Sequence, residues 1–177
     1  MKALEVLQKA DVVVYDRLVG EGVLRLIPEK AVKIYAGKAS EKHTLSQAEI
    51  NDLVIKAAKC GKTVVRLKGG DPFLFGRGGE EAEALASESI EFEVIPGVSS
   101  ALAAPAYAGI PLTHRAYASS VAIVTGSQAS DAKKKVDWRR LAGAVDTIVI
   151  LMGLESLREI ASGLIEGGLY VKGLKQL

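Results

Sequence analysis

Four apolar runs rich in β-branched residues punctuate the first hundred positions: Val12-Val13-Val14-Tyr15, Val32-Lys33-Ile34-Tyr35, Val64-Val65-Arg66-Leu67 and Phe92-Glu93-Val94-Ile95. Short apolar runs of this kind predict strands buried on both faces, as in a parallel sheet. Between the second and third, Ser46-Gln47-Ala48-Glu49 has the form of a capping box. Ile50, Leu53, Val54 and Ala57 follow at helical spacing, and Gly61 closes the segment. The spacer LVGEGVLRLIPEK has room for a brief helix, and GEEAEALASES for another. Strand, helix and strand repeated in this way imply right-handed crossovers and an α/β fold with a mostly parallel sheet and helices on both faces.

Beyond Pro96-Gly97 the residues from Ser99 to Ala108 are small and helix-compatible except for Pro105, and Gly109-Ile110-Pro111-Leu112 then forces an extended connection. A domain boundary is expected there, separating residues 1–112 from a second, smaller α/β domain at 113–177. In that second part, Val121-Ala122-Ile123-Val124 and Thr147-Ile148-Val149-Ile150-Leu151 predict two further strands. They flank DAKKKVDWRR, read as a solvated face, and Leu154 to Glu166 predicts a last amphipathic helix.

Composition narrows the classes. With 177 residues, 49% hydrophobic and 25% charged, the chain is long enough for a real core and is neither disordered nor fibrous. A net charge of +2 is too small for a surface devoted to nucleic acid, so any anionic partner must be met by a local basic cluster. The single cysteine, Cys60, rules out an internal disulfide and a cysteine-built zinc site, and its setting in Lys59-Cys60-Gly61-Lys62 reads as a helix end. No apolar run approaches the roughly 18 residues of a membrane span, and charges interrupt the first segment where a signal core would lie. A cytoplasmic protein is expected.

Ligands of open α/β sheets bind beyond the carboxyl ends of the strands, so the residues after each apolar run carry the chemistry. These are Asp16-Arg17 after the first run, Gly37-Lys38 and then His43 after the second, KGGDPFLFGRGGEE after the third, and PGVSS after the fourth. In the third loop Gly69-Gly70 lets backbone approach a ligand, Asp71 adds a carboxylate, and Pro72 stiffens the exit. It is not a phosphate loop. Gly61-Lys62-Thr63 lacks the upstream glycine, since residue 56 is Lys, and Gly76-Arg77-Gly78-Gly79-Glu80-Glu81 ends in the wrong residue for a dinucleotide fingerprint. An acid beside paired glycines suits a cationic or ribose-bearing cofactor; the plainer alternative is a glycine-rich turn.

The strings VVVYDRLV, GK followed by a His and a QAEIN helix, VVRLKGGDPFLFGRGGEE, IPGVSSALAAPAYAGIPLTHRAYASSVAIVTG and LMGL together resemble the S-adenosylmethionine-dependent tetrapyrrole methylases, from about Ala3 to Gly168. The resemblance implies a tetrapyrrole methylase-like α/β fold. The implied reaction moves methyl groups from S-adenosylmethionine to two pyrrole carbons of uroporphyrinogen III, giving precorrin-2 and leaving S-adenosylhomocysteine. Carried over by motif, the cofactor contacts fall on Gly69, Gly70, Asp71, Leu74, Ser99, Ser100 and Met152, with Ser99 standing where threonine is frequent. The resemblance assigns a proton acceptor to Asp16 and a proton donor to Lys38. The substrate's acetate and propionate arms call for a basic rim, for which Arg17, His43, Arg77, His114 and Arg115 are the candidates. No metal is expected, because His43 and His114 lack companion ligands in the sequence. A homodimer is expected, with neither nucleic acid nor membrane as partner.

The chain departs from the family at both ends. The family's first strand and GxGPGDP loop have no counterpart before MKALEVLQ, and the tail GGLYVKGLKQL matches no family segment, so truncation at both ends is expected. Two alternatives accompany the methyltransferase reading: a related precorrin or cobalt-precorrin methylase, and a non-catalytic remnant that binds tetrapyrrole without turnover.

Overall fold

The computed structural model describes residues 2–37, 45–127 and 135–169. The chain divides into two compact units, up to Ser99 and from Ser100 onward. This division falls ahead of the 112/113 boundary read from the sequence. The reason is the small-residue helix α5, which packs against a strand of the second unit.

The first unit is a three-stranded parallel sheet in the order β2-β1-β3, with β1 at Val12–Tyr15, β2 at Val32–Tyr35 and β3 at Val64–Leu67. Helices α1 (Lys2–Leu7), α2 (Glu21–Leu24), α3 (Gln47–Lys59) and α4 (Gly78–Ser87) complete it. Alternation along β1 sends side chains to two faces. Val13 packs with Leu7, Ala10 and Ile27 on the α1 and α2 side, while Val12 and Val14 pack with Ile50, Leu53 and Val54 of α3. Burial on both faces makes β1 apolar at every position and puts it at the sheet centre. The capping box forms as the sequence predicts: Ser46 Oγ accepts from the Glu49 amide at 3.2 Å, and Glu49 Oε2 accepts from the Ser46 amide at 2.7 Å.

One strand expectation fails. Residues 92–95 form no strand; Val94 and Ile95 are half-buried, Phe92 is exposed, and residues 91–96 make no backbone hydrogen bond among the described residues. A β-prone run becomes a strand only when a neighbour supplies the ladder, and among the described residues β3, the nearest sheet edge in sequence, pairs only with β1.

In the second unit α5 (Ser100–Tyr107) runs through Pro105, and β4 (Val121–Thr125) pairs in parallel with β5 (Thr147–Leu151). Helices α6 (Trp138–Ala142) and α7 (Leu157–Glu166) bury Trp138, Ala142, Ile160 and Leu164 together. The DWRR part of the basic stretch is thus not solvated throughout, because Trp138 is a core residue; residues 131–134 lie outside the described part. A Cβ placed on Gly163 would sit 2.7 Å from Trp138 Cβ, so glycine sets the approach of α6 and α7. At the start of the β4-β5 pair, Asp146 Oδ2 accepts from the Ser119 amide at 2.8 Å, the Ser120 amide at 3.0 Å and the Ser120 hydroxyl at 2.8 Å.

Gly163→Val is expected to lower unfolding free energy by about 1–3 kcal/mol through overpacking, read from urea denaturation. The Asp146 carboxyl is held below its ordinary value, chiefly by the Ser120 hydroxyl and then by the Ser119 amide. A depressed carboxyl stabilises above its unfolded pKa and loses that contribution as pH falls through the folded value. Asp146→Asn is therefore expected to lower the melting temperature at pH 7 and to flatten its decline between about pH 5 and pH 2.

Candidate active site

The parallel register aligns Val12 with Val64 and Tyr15 with Leu67, so the loops after β1 and β3 emerge side by side. They touch: a Cβ on Gly69 would meet the Leu18 carbonyl oxygen at 2.8 Å. Gly70 has φ +73°, a left-handed backbone open to glycine at little cost, and an added Cβ there would face the Ser99 Cα at 3.9 Å. Asp71 braces the turn. Its Oδ1 accepts from the Phe73 amide at 2.9 Å and its Oδ2 from the Gly97 amide at 3.1 Å, tying the glycine loop to the segment that ends at buried Ser99. Asp16, Gly69, Gly70, Asp71, Leu74 and Ser99 thus belong to one unit, with Asp16 and Gly70 both at the carboxyl edge of its sheet.

Asp16 is fixed by Arg66, a residue that the apolar pattern of β3 conceals. Arg66 Nη2 donates to Asp16 Oδ2 at 2.9 Å, and Asp16 Oδ1 accepts from the Leu18 amide at 3.0 Å. The same guanidinium donates through Nε to Glu81 Oε1 at 3.2 Å and through Nη1 to the Leu67 carbonyl at 2.9 Å. Lys68 Nζ donates to both Glu81 oxygens, at 3.0 and 3.2 Å, and Gln47 Nε2 to Oε1 at 3.1 Å. Side-chain exposures of 14% for Arg66, 14% for Glu81 and 10% for Lys68 place this chain of charges under the loop surface. Only the spacing of Glu81 from Lys68 and Arg66 across the strand-to-helix turn could have signalled it.

The remaining candidates have other surroundings. Arg17 and Arg115 are exposed. Arg77, at φ +57° before α4, commits its fork to Glu80, with contacts of 3.0 and 2.6 Å. That bond raises the arginine pKa and holds the Glu80 carboxyl below its usual range. His114 stacks on Tyr117 and accepts at Nδ1 from the Ala116 amide at 3.2 Å. Ser100 opens α5, and Met152, exposed and at φ +54°, follows β5; both belong to the second unit. Lys38 and His43 lie outside the described residues. No cluster of three or more metal-binding side chains occurs among the described residues.

Glycine backbone beside an anchored carboxylate stands at the carboxyl ends of parallel strands, where open α/β sheets hold their ligands. The family described as Tetrapyrrole (Corrin/Porphyrin) Methylases matches residues 1–174, and the chain belongs to that family. It is 51% identical over 168 residues to a uroporphyrinogen-III C-methyltransferase of Bacillus subtilis, covering 95% of this chain and 65% of the relative. A siroheme synthase of Baumannia cicadellinicola is 49% identical over 95% of this chain and 36% of its own length. Among solved structures, the uroporphyrin-III C-methyl transferase of Thermus thermophilus complexed with S-adenyl homocysteine superposes with TM-score 0.77 at 43% identity. That match covers 94% of this chain and 69% of the other. A cobalt precorrin-4 methyltransferase gives TM-score 0.81 at 26% identity, covering 95% and 68%. The chain thus spans about two thirds of the length of the methyltransferases it matches.

Removing Arg66 takes from the Asp16 and Glu81 carboxylates the cation they share. Arg66→Met is expected to cost about 2–4 kcal/mol of stability, below the full cost of breaking a wholly buried pair because the site is partly solvated. Arg66→Lys, which keeps the charge but not the fork, should cost less than Arg66→Met in the same denaturation assay.

Proposed function

We propose that the chain carries the site of an S-adenosylmethionine-dependent C-methyltransferase acting on uroporphyrinogen III. The observation that supports this most directly is the meeting of the Gly69-Gly70 backbone with the loop bearing the anchored Asp16 carboxylate. The relatives' names supply the substrate and product class. The glycine loop fits the cofactor. Gly70 offers backbone with no side chain in the way, while Asp71 keeps its carboxylate turned to the Phe73 and Gly97 amides and shapes the cradle.

Gly69, Gly70, Asp71, Leu74, Ser99, Ser100 and Met152 would hold the cofactor. When bound, the cofactor supplies an electrophilic methyl group on a sulfonium. The protein's part is to present the pyrrole carbon in line at about 3–3.5 Å and to accept the proton displaced from the methylated ring. Asp16 is the acceptor, its carboxylate aimed by Arg66 and the Leu18 amide, and Lys38 is the donor. Arg17, His43, Arg77, His114 and Arg115 would meet the substrate's carboxylates. A homodimer and a cytoplasmic location complete the reading; no helix among the described residues is long and apolar enough to cross a membrane.

A second reading has the chain bind tetrapyrrole without turnover. The two separate cleanly. With uroporphyrinogen III and the methyl donor, the first expects the precorrin-2 chromophore, and Asp16→Asn slows its formation by about 10²–10⁴-fold while S-adenosylhomocysteine affinity stays within a factor of about two. Calorimetry that shows no S-adenosylhomocysteine heat, together with no chromophore, supports the second and removes the first.

A further inference from the structure

A guanidinium presents Nε and one Nη along a single edge, and a lone carboxylate facing that edge takes both donors as a bidentate pair. Arg66 divides them. Its Nη2 donates to Asp16 Oδ2 at 2.9 Å, while its Nε donates to Glu81 Oε1 at 3.2 Å. Nη1 donates to the carbonyls of Leu67 and Val14, at 2.9 and 3.3 Å, so every nitrogen is engaged and the plane of the group is fixed. The Glu81 oxygen that accepts from Nε also accepts from Lys68 and Gln47, at 3.0 and 3.1 Å, which holds it in place. Two carboxylates and two cations thus balance at a site where side-chain exposure runs from 10% at Lys68 to 24% at Asp16.

We propose that Glu81 is a positioning residue for Asp16, acting through the arginine the two carboxylates share. By occupying the Nε donor it keeps Asp16 on a single guanidinium bond, and by balancing Lys68 it leaves Asp16 one cation to satisfy rather than two. Without the Glu81 charge, Asp16 becomes the carboxylate that both cations draw on. Turning its second oxygen to Nε would take Oδ1 off the Leu18 amide, so the carboxylate would lose its aim and be gripped too tightly to take up a proton readily. An ion pair that served only to tie α4 to the sheet would behave differently, its removal costing the same whatever stands at position 16. The inference rests on the reading of Asp16 as the proton acceptor and adds the residue that keeps the carboxylate fit for that task.

Glu81→Gln provides the test, because the amide oxygen keeps the shape and an acceptor while the charge goes. Glu83→Gln, at an exposed position two residues along α4, controls for the loss of a negative charge. In urea denaturation, Asp16→Asn is expected to lower the midpoint more in the Glu81→Gln chain than in the unaltered one, since it then removes the last carboxylate held by both cations. Beside Glu83→Gln its cost should not change. Additive costs at positions 16 and 81 overturn the proposal. With uroporphyrinogen III and the methyl donor, Glu81→Gln is expected to reduce kcat about tenfold, part of the about 10²–10⁴-fold that a placed base supplies, with KM and S-adenosylhomocysteine affinity within a factor of about two. In the Asp16→Asn chain the same change should cost less than about twofold, because the group it acts through is gone. An undiminished tenfold loss there, or no loss in the otherwise unaltered chain, overturns the proposal. If Glu81→Gln is too unstable to purify, adding Lys68→Met restores the charge balance and the same comparisons are made in that pair. Failure of the underlying reading looks different: an unaltered chain that forms no chromophore removes methyl transfer, while the midpoints still decide whether Glu81 and Asp16 share Arg66.

Discussion

Parallel pairing of β1 with β3, in the register that sets Tyr15 opposite Leu67, makes Asp16 and Lys68 leave the sheet at the same height. Everything at the candidate site follows from that alignment. Arg66, one residue before the end of β3, is brought within reach of Asp16, one residue beyond the end of β1, and its remaining donors find Glu81 at the start of α4. Gly69 is needed for the same reason, because the loops emerge so close that a side chain at that position would strike Leu18. A shift of one residue in register would reverse the faces of Val12, Val13 and Val14, and the two cores on either side of the sheet forbid it.

That constraint explains which features can be read from the sequence. The strand at 12–15 is legible because burial on both faces leaves a continuous apolar signature; those at 32–35, 64–67 and 147–151 are legible from their β-branched residues, although β2 at the sheet edge is largely exposed and not buried on both faces as the sequence suggests; and α3 is legible because its capping box and Gly61 mark both ends. Residues 92–95 carry the same signature without forming a strand, since a strand is a property of a pair and the composition of one segment cannot report whether its partner is present. Trp138 is hidden for the opposite reason. Charged neighbours make its stretch look solvated, although the helix turns the indole inward against Ile160 and Leu164.

The site is legible in its loops but not in its wiring. Asp16, Gly69, Gly70, Asp71 and Ser99 stand at strand ends, where α/β geometry directs attention. Arg66 stands inside an apolar run, where a lone charge reads as an interruption rather than as an anchor. Its importance depends on Val14, Asp16 and Glu81 meeting in space, at separations of up to fifty-two residues in sequence. Position alone also misses what Asp71 does. Its place in the loop suggests a ligand contact; what position does not announce is that its carboxylate also accepts the Phe73 and Gly97 amides and braces the glycine loop from within.

The charge network also bears on how the chemistry would be divided. A carboxylate that was free to rotate would have to be ordered during the reaction, whereas one held by a guanidinium and an amide is ordered before substrate arrives. In-line placement of reactants accounts for about 7–11 kcal/mol in favourable cases, against about 3–5 kcal/mol for a well-placed base. On the proposed reading most of the rate enhancement would lie with whatever aligns the two ligands, a task for which the close-packed loops after β1 and β3, braced by Asp71, are placed. Arg66 would then link alignment to proton transfer, because the side chain that holds Asp16 also bonds the carbonyl of Leu67 at the root of the glycine loop. Disturbing it should impair both together, and a substitution at Asp16 alone should impair only the proton transfer.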